Sequence, residues 1–149
     1  MNFDKLLNNK KIEKVEKGEF DLKSVKKDLE FAKKGLETKN YNRVMAVVYE
    51  AVLKTGNKLM NLLGYRAIGK EHHKNTFEFL KEVDVEKELV DYFDDIRKKR
   101  NDFVYRDVES ISKEEADDII DKAEEFVHKI GTFVHKIGTG GGKGWLVVI

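Results

Sequence analysis

The chain contains no cysteine and no proline, and each absence narrows what it can be. Without thiols there is no disulfide framework, no thiolate metal site and no thiol nucleophile. Without proline, nothing forces a break in a long helix. No apolar run approaches the ~20 residues that a membrane helix needs, and Met1 to Lys17 lacks the apolar core of a signal peptide. A soluble, cytoplasmic protein is expected. Nor does one sign of charge dominate: 29 Lys+Arg face 28 Asp+Glu, for a formal net charge of +1. That balance excludes a globally basic nucleic-acid coat. What is present is charge in quantity, 38% of all residues, which suits helices laced with ion pairs. The Lys/Glu-rich profile is similar to that of heat-adapted proteins. At 149 residues the chain fits one domain with a core of its own.

Apolar spacing predicts an all-α, up-and-down bundle of about five helices. Residues 1–18 carry Phe3, Leu6, Leu7, Ile12 and Val15 among lysines and read as a short helix stopped at Gly18. Leu22, Val25, Leu29, Ala32 and Leu36 alternate steps of 3 and 4, so a helix runs to about Thr38 with Asp21 or Ser24 as N-cap. After a turn at Lys39-Asn40, the segment Tyr41 to Leu63 is apolar on nearly every side, the mark of a central helix. Residues 64–69 read as a connection, and Phe77, Leu80 and Val83 mark a short helix beyond it. A further helix is expected from about Val85 to Tyr105, with Asp94–Lys98 and Asp95–Lys99 as i,i+4 pairs. Ser112-Lys113-Glu114-Glu115 reads as a capping box opening a last amphipathic helix.

That last helix ends in a repeat. The segment Phe126 to Thr132 recurs unchanged at Phe133 to Thr139, and a seven-residue copy keeps the apolar stripe in register. Each copy contains a glycine, which costs a helix interior ~1 kcal/mol. The expected domain therefore covers residues 1–137, with a Gly-rich linker and a short apolar, strand-forming tail over 138–149.

Little chemistry is spelled out by motif. His72 and His73 are adjacent, as if on different helix faces, and His128 and His135 belong to the repeat, so all four read as surface histidines. No metal-ligand spacing and no cofactor motif occurs. Lys143 follows a glycine run but precedes Gly144 where a phosphate loop has Ser or Thr. The conspicuous position is Arg100, because Leu89, Phe93, Ile96, Arg100 and Phe103 step 4, 3, 4 and 3 apart and would share one helix face. A guanidinium on an apolar stripe needs a carboxylate, a phosphate or carbonyls, or must open into a cleft. Arg100 with Asn101 and Tyr105 offers a phosphate-binding cation, an amide and a phenol donor, while Arg97, Lys98, Lys99 and Arg106 supply local positive charge. The same arginine also fits a structural role, paired with a carboxylate of a neighbouring helix. Both readings stand at this level.

These residues resemble a family. Asp28-Leu29-Glu30-Phe31-Ala32, the Lys39-Asn40-Tyr41-Asn42 turn, Tyr49-Glu50-Ala51-Val52 and Arg100-Asn101-Asp102-Phe103-Val104-Tyr105 are together similar to HEPN domains, over roughly Asp21 to Ile130. The resemblance implies an all-α bundle of the prokaryotic toxin-antitoxin and defence systems. It further implies a homodimer that joins two motifs in one groove, and metal-independent RNA cleavage in active members. The family's motif is an arginine, a polar neighbour and then a histidine after four to six intervening residues. Arg100 and Asn101 match, whereas Tyr105 stands at the histidine's place. A phenol with an ordinary pKa of ~10 does not exchange protons at neutral pH as imidazole does. Two functions follow: an RNA- or nucleotide-directed toxin component using Arg100, Asn101 and Tyr105, or a non-catalytic module that binds a nucleotidyltransferase antitoxin or serves as a dimerisation scaffold. On an unbroken helix, Arg100 and Tyr105 would also lie about 140° apart, so their convergence requires the helix to end or bend near Asn101.

Overall fold

The computed structural model describes residues 1–83, 85–100, 111–141 and 147–148, with side chains through residue 138. Among them are six helices: α1 (Asp4–Asn8), α2 (Lys23–Glu37), α3 (Tyr41–Leu63), α4 (His72–Val83), α5 (Lys87–Lys98) and α6 (Lys113–Gly141). Four short strands accompany them: β1 (Ile12–Lys14), β2 (Phe20–Asp21), β3 (Tyr65–Ala67) and β4 (Val147–Val148). The chain is an all-α bundle with small strand pairs at its margins.

Helix α3 is the axis. It packs against α2, α4, α5 and α6, and Val48, Tyr49, Val52, Leu59 and Met60 along it are fully buried. Gly56 brings α4 close, since a Cβ there would meet Leu80 at 3.0 Å and Thr76 at 3.2 Å. Gly64 ends α3 with φ +93°, a left-handed cap that costs glycine nothing. Helix α2 stops differently. Asn40 N–H donates to Gly35 O and Lys39 N–H to Leu36 O, both at 3.2 Å, which closes the end as a Schellman turn with Lys39 at φ 58°. At its start the Asp21 carboxylate accepts the Lys23 N–H at 2.9 Å.

The N-terminal reading needs correction. Helix occupies only Asp4–Asn8, and Ile12–Lys14 forms a strand antiparallel to Tyr65–Ala67, inside what the spacing presented as a plain connection. The strand is held from outside: Ile12 is buried, Glu13 pairs with Arg66 across the ladder, and Lys11 reaches Glu78 of α4 at 2.8 Å. Phe3 stacks on Phe79 at 4.3 Å and closes that end of the core.

Helix α6 begins as expected, with Ser112 Oγ accepting the Glu115 N–H at 3.1 Å. It then continues through Gly131 as one helix of 29 residues. Phe126, Ile130 and Val134 are all buried, so the second copy of the repeat extends the first one's stripe along α2 and α3. That burial outweighs the ~1 kcal/mol glycine cost. The C-terminal Val147–Val148 pairs in parallel with Phe20–Asp21 of the same chain. Among the described residues no helix is long and apolar enough to cross a membrane.

Candidate functional site

Helix α5 stops at Lys98, where the Lys99 N–H bonds back to Ile96 O at 3.0 Å. Lys99 is a turn and Arg100 is helical again beyond it, while residues 101–105 of the expected helix lie outside the described residues. Leu89, Phe93 and Ile96 are buried within the chain itself, with Phe93 5.9 Å from Phe126 of α6. The stripe is covered in its own bundle and does not wait for a twin.

The expected ion pairs also change partners. Asp94 is buried and accepts hydrogen bonds from Lys81 Nζ of α4 at 2.7 Å and Arg97 Nε at 2.8 Å. Asp95 meets Lys98, not Lys99, at 3.8 Å. Burial alone would raise the Asp94 carboxyl, but the two cationic donors outweigh it and hold the group below the usual carboxylate range. Arg97 is thus not the ordinary solvated charge that its helical position suggested: it is mostly buried and tied to Asp94.

Arg100 is half-buried. Its Nη2 lies 3.3 Å from Glu50 Oε1, and its Cζ sits 5.9 Å from the centroid of the Tyr49 ring, in cation–π range. The Glu50 carboxylate is itself half exposed, so this pairing is not a saturating buried one. The His73 ring centroid is 6.3 Å from that of the same tyrosine. His73 and Arg100 face one cleft of about 570 Å³, whose walls are the start of α4 and the end of α5. Lys70, Lys74, Arg97, Lys98 and Arg100 line it, against the single carboxylate of Glu71 among the described lining residues. A cleft of this charge attracts anions even though the chain's net charge is only +1.

The start of α4 is firmly placed. Asn75 Nδ2 donates to Ile68 O at 3.0 Å, and the Thr76 hydroxyl donates to Asn57 Oδ1 of α3 at 2.8 Å. His72 Nδ1 lies 3.2 Å from Gly69 O, and the His72 and His73 rings meet edge-on at 4.4 Å. His72 is exposed, as expected, whereas His73 is partly buried and departs from the surface reading. A signal for His73 was available, because 73, 77 and 80 step 4 and 3 apart and place it on the buried face with Phe77 and Leu80. Burial first, and then the neighbouring His72 charge, push the His73 imidazole below its ordinary value, which favours the neutral ring at pH 7. Burial, reinforced by Glu50, raises the Tyr49 phenol to about 12.

Of the residues singled out by sequence, Arg97, Lys98 and Arg100 come together on the cleft. Lys99 is exposed at the α5 cap. Asn101, Tyr105 and Arg106 lie outside the described residues. His128 and His135 are exposed on α6, and among the described residues no group of three or more His, Asp or Glu is placed to hold a metal ion.

A model of the HEPN domain matches residues 19–132, which is most of the chain and includes α2 to α5, Arg100 and the bulk of α6. The chain belongs to the HEPN domain family. No curated protein and no solved structure matches it. HEPN domains are generally associated with ribonuclease, toxin or nucleotide-related functions, and they often dimerise. In this HEPN domain Arg100 opens onto the basic cleft, which His72 and His73 also line.

Proposed function

We propose that this HEPN domain binds RNA or nucleotides through the cleft between α4 and the end of α5, with Arg100 as its phosphate-binding group. The observation that carries the reading is the convergence of Arg97, Lys98 and Arg100 with Lys70 and Lys74 on one concave surface. A planar guanidinium beside flexible ammonium groups suits phosphate, which takes charge-assisted hydrogen bonds from both. Asn101 orients the phosphate or a ribose hydroxyl, and Tyr105 donates to a phosphate oxygen. Lys99 and Arg106 extend the positive track along the nucleic-acid backbone. Two copies form a homodimer that joins their clefts into one groove, in keeping with the family's habit of dimerising.

In its cellular setting the protein is the toxin component of a toxin-antitoxin pair, acting as a metal-independent ribonuclease. The tyrosine at 105 favours a second reading, a binding module for a nucleotidyltransferase partner encoded beside it. The test is fluorescence anisotropy of the full chain with single-stranded RNA and with nucleotides across a salt series. Arg100→Ala is expected to weaken binding by roughly 10- to 100-fold, the cost of a charge-assisted contact, and to reduce the salt slope by about 1. Unchanged affinity in Arg100→Ala, or no saturable binding by wild type at low salt, would overturn the reading. Sedimentation of the same sample gives the oligomeric state.

A further inference from the structure

We infer that His73 is the proton acceptor of this cleft, serving RNA cleavage from helix α4 in place of the histidine that position 105 does not have. The inference rests on the cleft being an RNA site, and it goes further by naming the residue that takes the proton. Its first support is position. His73 and Arg100, more than twenty residues apart in the chain, both approach the ring of Tyr49, at 6.3 and 5.9 Å, and line the same cleft. An RNA strand held in that cleft by Arg100 therefore passes an imidazole in the same lining.

The second support is rigidity. The Asn75 and Thr76 hydrogen bonds to Ile68 O and Asn57 pin the first turn of α4, and the His72 ring braces His73 edge-on. A general base works only when it is held within hydrogen-bond reach of its proton. The third is charge. His73 is faced by His72 on its own helix, by Tyr49 and Glu50 of α3, by Arg97 of α5 and by Arg100 beyond it. The cations among these, together with burial, outweigh Glu50 and favour the neutral ring that can accept a proton. The His72 ring, edge-on at 4.4 Å, adds to the effects that keep a proton off His73.

The reaction needs no additional reagent. Neutral His73 takes the proton of a ribose 2′-hydroxyl, and the 2′-oxygen forms a bond to the adjacent phosphorus. The bond from phosphorus to the 5′-oxygen of the next nucleotide breaks, and that oxygen leaves with a proton from a water molecule. The products are a 2′,3′-cyclic phosphate and a 5′-hydroxyl, while Arg100 offsets the charge that builds on the phosphorane oxygens. The hydroxide left in solvent then takes the proton from His73, which restores the neutral ring.

The test is cleavage of a labelled RNA in chelator by the full chain, run beside anisotropy and thermal unfolding. Wild type is compared with His73→Gln, His72→Gln and Arg100→Ala. The expected result is cyclic-phosphate ends from wild type and a loss of about 100-fold or more in His73→Gln, with its RNA affinity and melting retained. His73→Ala with added imidazole should recover cleavage, which separates a lost base from a lost fold. His73→Gln cutting at the wild-type rate would overturn the inference. Wild type that binds RNA through Arg100 and cuts none would overturn it too while leaving the binding reading intact, and wild type that does not bind RNA would sink both.

Discussion

Replacing Asp94 with asparagine keeps the shape of the side chain and removes its charge at the junction of α4 and α5. The carboxylate accepts two charge-assisted hydrogen bonds, from Lys81 at 2.7 Å and Arg97 at 2.8 Å. Bonds to charged groups contribute ~1.5–3 kcal/mol each. Asparagine still offers one acceptor, and the freed cations regain some hydration, the Lys81 side chain being 39% exposed and that of Arg97 20%. The lower part of the range applies, for a loss of about 2–3 kcal/mol. In a chain of 149 residues that lowers the melting temperature by roughly 4–12 °C. The Asp94 carboxyl is depressed in the folded state, so its contribution is complete above the unfolded carboxylate value of ~3.9 and is lost as pH falls below it. The gap between wild type and Asp94→Asn should thus be wide at pH 7 and close in acid. Thermal unfolding followed by circular dichroism at both pH values measures it. Melting within about 1 °C of wild type at pH 7 would refute the reasoning, as would a gap equally wide in acid. A double-mutant cycle sharpens the point: Asp94 should couple to Lys81 and not to Lys98.

Two further substitutions test the packing around α2. A Cβ at Gly35 would stand 2.7 Å from Val44 Cγ2, in a stiff, fully buried side chain. Gly35→Ala should therefore lose up to about 2 kcal/mol in urea unfolding, overpacking of ~1–3 offset by a helix gain of ~1; greater stability would contradict the close approach. Lys39 closes α2 at φ 58°, where a side chain is strained. Lys39→Gly should raise stability by up to about 1 kcal/mol, relief of ~1–2 less the added backbone entropy, and a lower urea midpoint would argue against it.

Much of the helical layout was legible from spacing. Helices α2 and α3 fall where steps of 3 and 4 place them, and Ser112 caps α6 as its sequence indicates. The strands were not legible, because β1 has only three residues and exists through a partner about 50 positions away. The interruption at Lys99 was not legible either: the stripe extrapolates smoothly through Arg100, yet α5 ends at Lys98 with a turn before Arg100. At the site, Arg100 stood out as a charge at an apolar position. His73 did not, although its spacing with Phe77 and Leu80 carried the same kind of signal.

By itself, then, the sequence determined where α2, α3 and α4 lie and where α6 begins, which helix is central, and that Arg100 needs an anionic or open environment. These are consequences of local periodicity and of the cost of burying an unpaired guanidinium. Only the tertiary structure decided that Asp94 takes Lys81 rather than Lys98, that the repeat continues as one helix, and that His73 and Arg100 line one cleft beside Tyr49. Each of those outcomes compares partners distant in the chain, and the packing of α4 and α5 against α3 selects among them.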